Sequence, residues 1–378
     1  PPGTALTESW DGTSWTEVAD LATARYDIGG SGTGNTSALA FAGGTPPRTA
    51  ATEEFAFTGL PPATPAADYS ESIVGDMFYN TSDGQFKAVK SGGAPIGAFS
   101  SGGNMNTARF GGGGAGTQTA ALSFAGGTPN PQTVNTETYD GSSWTEVNNL
   151  NTARYLSAKQ SFGTSQTAAI CISGYTTTNI ANVESWNGST WSEVNDVNSA
   201  RRGAAAGGTS TSGIFSGGYT TSISNVVESW DGTSWTEVAE INSAREDTGG
   251  VGTSNTSMQM NGGYLGPPGQ SADTEQWDGS SWTEVNNMNT GRSGATGTGT
   301  PAAAIASGGE PGPTAINEAW DGTSWSEVAD LSVARTKAAS SATSSTSGVV
   351  FGGSAPPAST STEEWNAADF EIKTLTTS

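Results

Sequence analysis

A block of residues recurs along this chain of 378 residues, and the recurrence limits the possible folds more than any other feature. The first copy reads ESWDGTSWTEV from Glu8 to Val18, and an arginine follows it at Arg25. In six copies this arginine lies 17 positions after the first glutamate, and Arg109 belongs to a seventh copy. Successive arginines are 84, 45, 47, 44, 47 and 43 residues apart. A period of this length is typical of the blades of a β-propeller.

Each copy carries signals for four short strands. An Asp-Gly or Asn-Gly dipeptide lies between two aromatic residues, as in Trp10 to Trp15, and such dipeptides favour tight hairpin turns. A weak, glycine-rich strand follows the arginine, and a small apolar strand then ends in Gly-Gly or a near equivalent. Four short strands without a helical period predict an all-β propeller blade, with small residues at the hub and tryptophan between blades near the rim.

Composition excludes several classes of function. The chain has no histidine and a single cysteine, Cys171, which excludes histidine-dependent nucleophiles and the usual histidine or thiolate metal sites. Fourteen basic residues against 36 acidic ones give a net charge of −22, which argues against binding to nucleic acid or to an anionic lipid surface. We therefore expect no metal, no cofactor, no nucleic-acid partner and no membrane insertion.

The order of these elements resembles that of kelch repeats over nearly the whole chain. The residues that carry the resemblance are the Gly-Gly after the second strand, the aromatic residue before the turn, the tryptophan after it and the arginine. The resemblance implies one closed kelch-type propeller over residues 7–373, followed by a tail over 374–378. The sequence also resembles kelch-like virion proteins of marine bacteriophages. This second resemblance is carried by the amino-acid sequence of the repeat, by the segment Thr117–Ala121 and by the ending from Glu363.

The number of blades follows from the hairpins. Seven inner hairpins, each running from the arginine to Gly-Gly, predict seven four-stranded blades, whereas eight outer hairpins leave one over. We expect residues 7–18 to complete the blade that contains Arg335–Gly353, because this would remove two open sheet edges. The reverse assignment uses the hairpin Glu363–Lys373. An eight-bladed ring would need another hairpin before Pro1, and hence a chain that is a fragment.

An insertion over residues 58–98 interrupts the second outer hairpin. That hairpin begins at Glu53 and resumes at Phe99, which matches Trp15 in its distance from the arginine, so the insertion is expected in a blade-tip loop. Within it, Asp83-Gly84 predicts an extra β-hairpin. Exposed aromatic residues on an outgrowth often mark an interface, although a loop with no role is an alternative. The interface candidates are Phe78, Tyr79, Phe86, Lys87 and Lys90.

Seven of the nine arginines share one repeat position. The functional interpretation is a ring of guanidinium groups on one propeller face that binds carboxylate or sulfate ligands. The structural alternative is that each arginine bonds loop carbonyls and nearby acids such as Glu17 or Asp20. These binding candidates are Arg25, Arg109, Arg154, Arg201, Arg245, Arg292 and Arg335. Only Arg48 and Arg202 lie outside the pattern, and two arginines are too few for the arginine cluster that a sialidase needs. No pair of acidic residues in the sequence is distinguished as the catalytic carboxylate pair of a glycosidase.

Together these features predict a protein that is not an enzyme. We expect a virion component, such as an appendage, fibre or surface protein, that presents a rigid propeller. Its expected partners are other virion proteins or copies of itself, and a host-surface glycan is a further candidate. A secreted bacterial adhesion or filament subunit is the first alternative, and a glycan-active propeller enzyme is the second.

Overall fold

The computed structural model of this protein describes fourteen stretches of the chain, which are residues 5–10, 15–18, 21–25, 29–34, 37–41, 52–56, 77–80, 85–90, 97–127, 132–157, 162–267, 269–341, 344–367 and 371–374. The chain divides into two compact units, Pro1–Ser91 with Phe370–Ser378, and Gly92–Asp369. This division differs from the predicted single domain over residues 7–373. No helix in the described stretches is long and apolar enough to cross a membrane.

The described residues of the smaller unit form eight strands in three sheets. A hairpin pairs the first two strands, a second sheet has the order β3-β4-β5, and a third has the order β32-β7-β6. These strands are β1 (Thr7–Trp10), β2 (Trp15–Val18), β3 (Gly29–Gly34), β4 (Ser37–Phe41), β5 (Thr52–Ala56), β6 (Met77–Asn80), β7 (Gln85–Lys90) and β32 (Glu371–Thr374).

The larger unit contains six antiparallel four-stranded sheets. In the first five sheets, consecutive strands are neighbours. The strands of sheets one to three are β9 (Gly113–Thr117), β10 (Ala120–Phe124), β11 (Thr136–Tyr139), β12 (Trp144–Val147), β13 (Phe162–Ser165), β14 (Ala168–Ile172), β15 (Val183–Trp186), β16 (Trp191–Val194), β17 (Ala205–Thr209), β18 (Ser212–Ser216), β19 (Val227–Trp230) and β20 (Trp235–Val238).

The sixth sheet combines strands from the two ends of the larger unit, in the order β29-β30-β31-β8. The strands of sheets four to six are β21 (Gly249–Ser254), β22 (Ser257–Asn261), β23 (Thr274–Trp277), β24 (Trp282–Val285), β25 (Thr296–Thr300), β26 (Ala303–Ser307), β27 (Asn317–Trp320), β28 (Trp325–Val328), β29 (Ala339–Ser341), β30 (Ser347–Phe351), β31 (Thr362–Asn366) and β8 (Ala98–Ser101).

The predicted all-β propeller architecture is confirmed, but the predicted count of seven blades is wrong, because the larger unit has six. The strand around Phe99 was expected to complete the sheet that contains β5. It pairs with β31 instead, so that Phe99 lies opposite Trp365. Within the described residues β3, β4 and β5 therefore form a sheet without a fourth strand.

The expected completion of the last blade by residues 7–18 is also wrong. The two strands β1 and β2 pair with each other, with Trp10 opposite Trp15. The alternative based on Glu363–Lys373 holds only for the third strand, β31, because β32 pairs with β7. The insertion consequently connects two different sheets, and it does not lie in the tip loop of a single blade.

Packing between neighbouring sheets forms the core. Each large cluster of buried apolar residues draws on two neighbouring sheets, as Phe124 and Trp191 do between the first and second. The ring centroids of Phe124 and Trp191 are 4.9 Å apart. Full burial of one large apolar side chain stabilises a fold by about 1.5–3 kcal/mol. Cys171 is fully buried in the same cluster, and this burial raises its pKa to about 11.

Tryptophan side chains on the fourth strands add a directional contact between sheets. Trp191 donates its indole N–H to Thr136 Oγ1 of the preceding sheet at 3.0 Å. Trp144 of the first sheet donates in the same way to Thr362 Oγ1 of the sixth, at 2.9 Å. Tyr139 and Phe351 complete the packing between these two sheets. Tryptophan therefore lies between blades, as the sequence predicts.

The pairing of β8 with β31 is tested by cross-linking in a Cys171→Ala background. Ala98 lies opposite Asn366, and opposite residues in an antiparallel pair have Cβ atoms about 4.5–5.5 Å apart, close to the reach of a disulfide. We expect Ala98→Cys with Asn366→Cys to oxidise to an intramolecular disulfide, measured by mass spectrometry. The control, Ala98→Cys with Ala56→Cys, corresponds to the seven-blade pairing. A disulfide in the control and none in the first pair would contradict the six-sheet arrangement.

Candidate functional site

The repeated arginines of the larger unit are buried in ion pairs. Each one precedes the first strand of its sheet and meets a glutamate on the third strand of that sheet, as Arg154 Nη2 does with Glu184 Oε1 at 2.6 Å. The exposed fraction of these arginine side chains is at most 2%. The six pairs are Arg109–Glu137, Arg154–Glu184, Arg201–Glu228, Arg245–Glu275, Arg292–Glu318 and Arg335–Glu363.

The loop before each arginine binds the same glutamate. The backbone and side-chain N–H groups of Asn151 donate to Glu184 Oε2 at 2.7 and 2.9 Å, and Arg154 also donates to the carbonyl of Asn182 at 2.6 Å. The position of Asn151 is repeated in the other sheets by Asn106, Asn198, Asn242, Asn289 and Ser332. The Asn-x-x-Arg spacing of the repeat therefore places both side chains on one glutamate, and these bonds fix the segment that connects two sheets.

These contacts match the structural alternative for the repeated arginines and take their side chains out of reach of an external ligand. The carboxylates that pair with the six arginines belong to third-strand glutamates, and Asp273 is a second partner of Arg245 at 3.7 Å. The sequence suggests instead acids at the positions of Glu17 and Asp20. Burial lowers the pKa of Arg201, while the charge of Glu228 opposes this shift. Arg25, in the smaller unit, is buried as well.

Six residues, each two positions after a repeated arginine, form a chain of contacts with one residue from the segment before each of the six sheets. Gly111 N donates to the carbonyl of Lys337, and the chain of backbone bonds continues through Gly294, Asp247 and Gly203 to the carbonyl of Leu156. A Cβ atom on Gly111 would lie 3.1 Å from Leu156 N, so the first and last residues of this chain of bonds are also near each other. We call this group of six residues the mouth.

Backbone strain is concentrated at the mouth. All six residues have left-handed φ angles, and three of them are not glycine: Leu156 at 51°, Asp247 at 53° and Lys337 at 55°. Left-handed φ angles are uncommon in residues other than glycine, and residues that have them cluster at functional sites. Glycine and non-glycine residues alternate along the mouth, and a Cβ atom on Gly203 would lie 3.2 Å from Asp247 N. The mouth is therefore a candidate site on structural grounds alone.

Charged side chains occupy one side of the mouth. Lys337 Nζ lies 3.3 Å from Asp247 Oδ2 and 3.8 Å from Glu310 Oε1. Burial alone would lower the pKa of Lys337, but these carboxylates outweigh it and raise the pKa. In the described part of the chain, no three His, Cys, Asp or Glu side chains are placed to hold a metal ion.

Aromatic residues line the other side, in a continuous row that we call the aromatic strip. Ring centroids are 6.0 Å apart between Phe110 and Tyr155, and 5.6 Å apart between Tyr155 and Tyr175. The guanidinium of Arg202 then lies over Tyr175 at 5.0 Å and over Tyr219 at 4.5 Å. All five side chains are partly exposed. The strip covers the first three sheets and borders the mouth, because Phe110, Tyr155 and Arg202 each precede a mouth residue.

The aromatic strip breaks the symmetry of the repeat. Its members at the position after a buried arginine are Phe110, Tyr155 and Arg202, whereas the other three sheets have Glu246, Ser293 and Thr336 there. Sequence reasoning missed the strip. The available signal was a tyrosine directly after Gly or Gly-Gly in some copies only, together with the doublet Arg201-Arg202.

The insertion forms the predicted hairpin, although its side chains lie outside the described part. Tyr79 lies opposite Phe86 in the β6–β7 pairing, and Phe78 lies opposite Lys87. A third strand, β32, pairs with β7, so that Lys90 lies opposite Glu371. The interface role of these five residues stays a prediction.

No protein-family model and no curated protein matches the chain. Among solved structures, one titled "Structure of YjhT" is similar, with a TM-score of 0.59 and 13% sequence identity over 72% of this chain and 99% of that one. At this identity the similarity shows the fold alone. The six sheets and this neighbour together support a kelch-like β-propeller.

Two adjacent arginines test the division between buried and exposed roles. Arg201→Met leaves Glu228 buried without its partner, so we expect the free energy of unfolding to fall by about 3–5 kcal/mol. Arg202→Met removes ring contacts and one long hydrogen bond at a partly exposed site, for which we expect a loss of about 1 kcal/mol or less. Urea unfolding followed by tryptophan fluorescence measures both. Similar losses for the two variants would contradict the structural role of the buried pair.

The contact between the first and sixth sheets predicts a pH dependence. Tyr139 Oη donates to Glu364 Oε1 at 2.5 Å, and burial together with this bond raises the pKa of Tyr139 to about 12. The bond therefore stabilises the fold fully below the usual tyrosine pKa of about 10 and is lost as the pH rises through 12. We expect Tyr139→Phe to cost about 1 kcal/mol at neutral pH and progressively less above about pH 10. A cost that stays constant up to about pH 12 in denaturant titrations would contradict this.

Proposed function

We propose that this chain is a non-enzymatic attachment protein of a bacteriophage virion, in which a closed six-bladed propeller presents the aromatic strip to a glycan on the host surface. The observation that carries the proposal is the strip itself: four aromatic rings and one guanidinium in a continuous, partly exposed row. Aromatic side chains and arginine are the residues that most often dominate the energy of a binding surface. Their position beside the mouth supports a single binding face.

The scaffold suits binding. The buried ion pairs and inter-sheet tryptophans hold the loops that carry Phe110, Tyr155 and Arg202, so little ordering is needed when a ligand binds. The net charge of −22 favours a soluble particle. At physiological ionic strength, salt screens the repulsion between exposed charges that are more than about 8 Å apart. The absence of histidine from the sequence favours binding over acid–base or nucleophilic chemistry.

Assignment to a virion rests on the amino-acid sequence of the repeat, which resembles that of kelch-like phage proteins. A secreted bacterial adhesion or filament subunit would use the same surface. The neighbouring genes separate the two: portal, capsid and tail genes are expected beside this one. Genes for secretion or pilus assembly in their place would contradict a virion origin.

The insertion hairpin is the proposed contact with another virion protein or a second copy of the chain. We expect deletion of residues 61–95 to leave the larger unit folded, because the deleted residues supply no strand to its six sheets. Sedimentation of the deletion variant beside the full chain should show loss of the assembled species. Equal masses relative to chain length would mean that the hairpin has no assembly role.

The binding role of the aromatic strip is tested by truncating its members. We expect Tyr155→Ala and Tyr175→Ala each to weaken binding to host-surface polysaccharide by about tenfold or more, since aromatic hot-spot residues contribute at least about 2 kcal/mol. Tyr264→Ala is the matched control, because Tyr264 follows Gly-Gly after the second strand of the fourth sheet but is not a member of the strip. Biolayer interferometry on immobilised polysaccharide measures all three. Equal losses for the control, or none for the strip variants, would contradict the proposal.

A further inference from the structure

We propose that Arg202 binds an acidic group of the saccharide, either the carboxylate of a uronic acid or a sulfate ester. This inference rests on the proposed function, because it names the chemical class of ligand for the same surface. The guanidinium is the only charged group in the aromatic strip, and it lies between two tyrosine rings. Its surroundings differ from those of the six buried arginines of the larger unit, each of which meets a glutamate.

The fold does not need Arg202. The preceding residue, Arg201, makes the buried pair with Glu228 on which the third sheet depends. The position of Arg202 tolerates an aromatic, an acid or a hydroxyl residue in other sheets, as Tyr155, Glu246 and Ser293 show. None of the other five sheets has a cation at this position, so the repeat itself does not explain why Arg202 is an arginine.

Contact with two rings holds the guanidinium and leaves most of its N–H groups unused. The Cζ atom of Arg202 lies over the rings of Tyr175 and Tyr219, and the side chain donates one long hydrogen bond, from Nη1 to Asn179 Oδ1 at 3.5 Å. The Asn179 amide is itself fixed, since it donates to the carbonyls of Tyr219 and Thr220 at 2.8 and 2.7 Å. A guanidinium has five N–H donors, so most of them remain for a ligand.

The guanidinium of Arg202 also has no carboxylate partner within the described residues, whereas each repeated arginine of the larger unit has one. An arginine in this state binds carboxylate or sulfate oxygens through paired hydrogen bonds, and aromatic stacking keeps its plane in place. The geometry thus favours an anionic group that approaches along the edge of the guanidinium, next to the tyrosine rings.

The charge of the whole chain limits what kind of anion can bind. With a net charge of −22, the protein repels a densely charged polyanion such as nucleic acid. A saccharide carries isolated acidic groups, and its sugar rings can lie against Tyr155, Tyr175 and Tyr219. An acidic saccharide is therefore the class that matches both the local cation and the acidic surroundings.

Matched pairs of saccharides test the inference on the full chain. One pair is a neutral oligosaccharide that carries a single uronic acid residue and the same oligosaccharide with that carboxyl group reduced to an alcohol; the other is a neutral oligosaccharide with a single sulfate ester and its desulfated form. We expect the wild-type chain to prefer the acidic member of one pair by about tenfold or more, as charge-assisted hydrogen bonds would give. The pair that shows the preference identifies carboxylate or sulfate as the group.

Three variants separate this inference from the proposed function. Arg202→Met should remove the preference for the acidic member and keep binding to the neutral one, whereas Arg202→Lys should retain part of the preference as a point charge. Tyr155→Ala should weaken binding to both members equally. A preference that survives in Arg202→Met, or equal binding of both members by the wild-type chain, overturns the inference alone. Failure of the wild-type chain to bind any of the four saccharides overturns the proposed function as well.

Discussion

The buried arginine–glutamate pair is the interaction on which the larger unit depends. Burying two opposite charges costs several kcal/mol for each ion, so the pair is stable only if further hydrogen bonds satisfy it. The protein meets this condition by closing the loop between two sheets onto the same carboxylate, as Asn151 does on Glu184. One pair thereby fixes a strand, a loop and the junction with the preceding sheet. Six repetitions of it hold the residues of the mouth in place.

The structural role and the proposed binding role belong to residues that are neighbours in the sequence. Residues that recur in every copy, such as Arg201, are buried and hold the fold. The residue one position further on differs between copies, and Phe110, Tyr155 and Arg202 are partly exposed there. The rigid repeat can therefore carry different side chains on its face without loss of the core. The backbone of the mouth is strained, because Leu156, Asp247 and Lys337 have left-handed φ angles.

Local sequence patterns predicted the all-β architecture, the hairpin turns and the insertion hairpin, because each depends on residues that are close along the chain. The blade count could not be predicted in this way. Fourth strands have the same pattern in every copy, so the sequence around Phe99 does not show whether its partner is β5 or β31, which lies more than 250 residues away. The aromatic strip was missed because its members, from Phe110 to Tyr219, come from three sheets.

Hydrogen–deuterium exchange of the full chain, with and without the saccharide that it binds best, tests most directly whether the non-repeated residues around the mouth form the binding face. We expect slower exchange in the segments around Phe110, Tyr155, Tyr175, Arg202 and Tyr219, and unchanged exchange at the Asp-Gly hairpin tips. Slower exchange at the hairpin tips, with none in the segments of the aromatic strip, would contradict this account of the propeller.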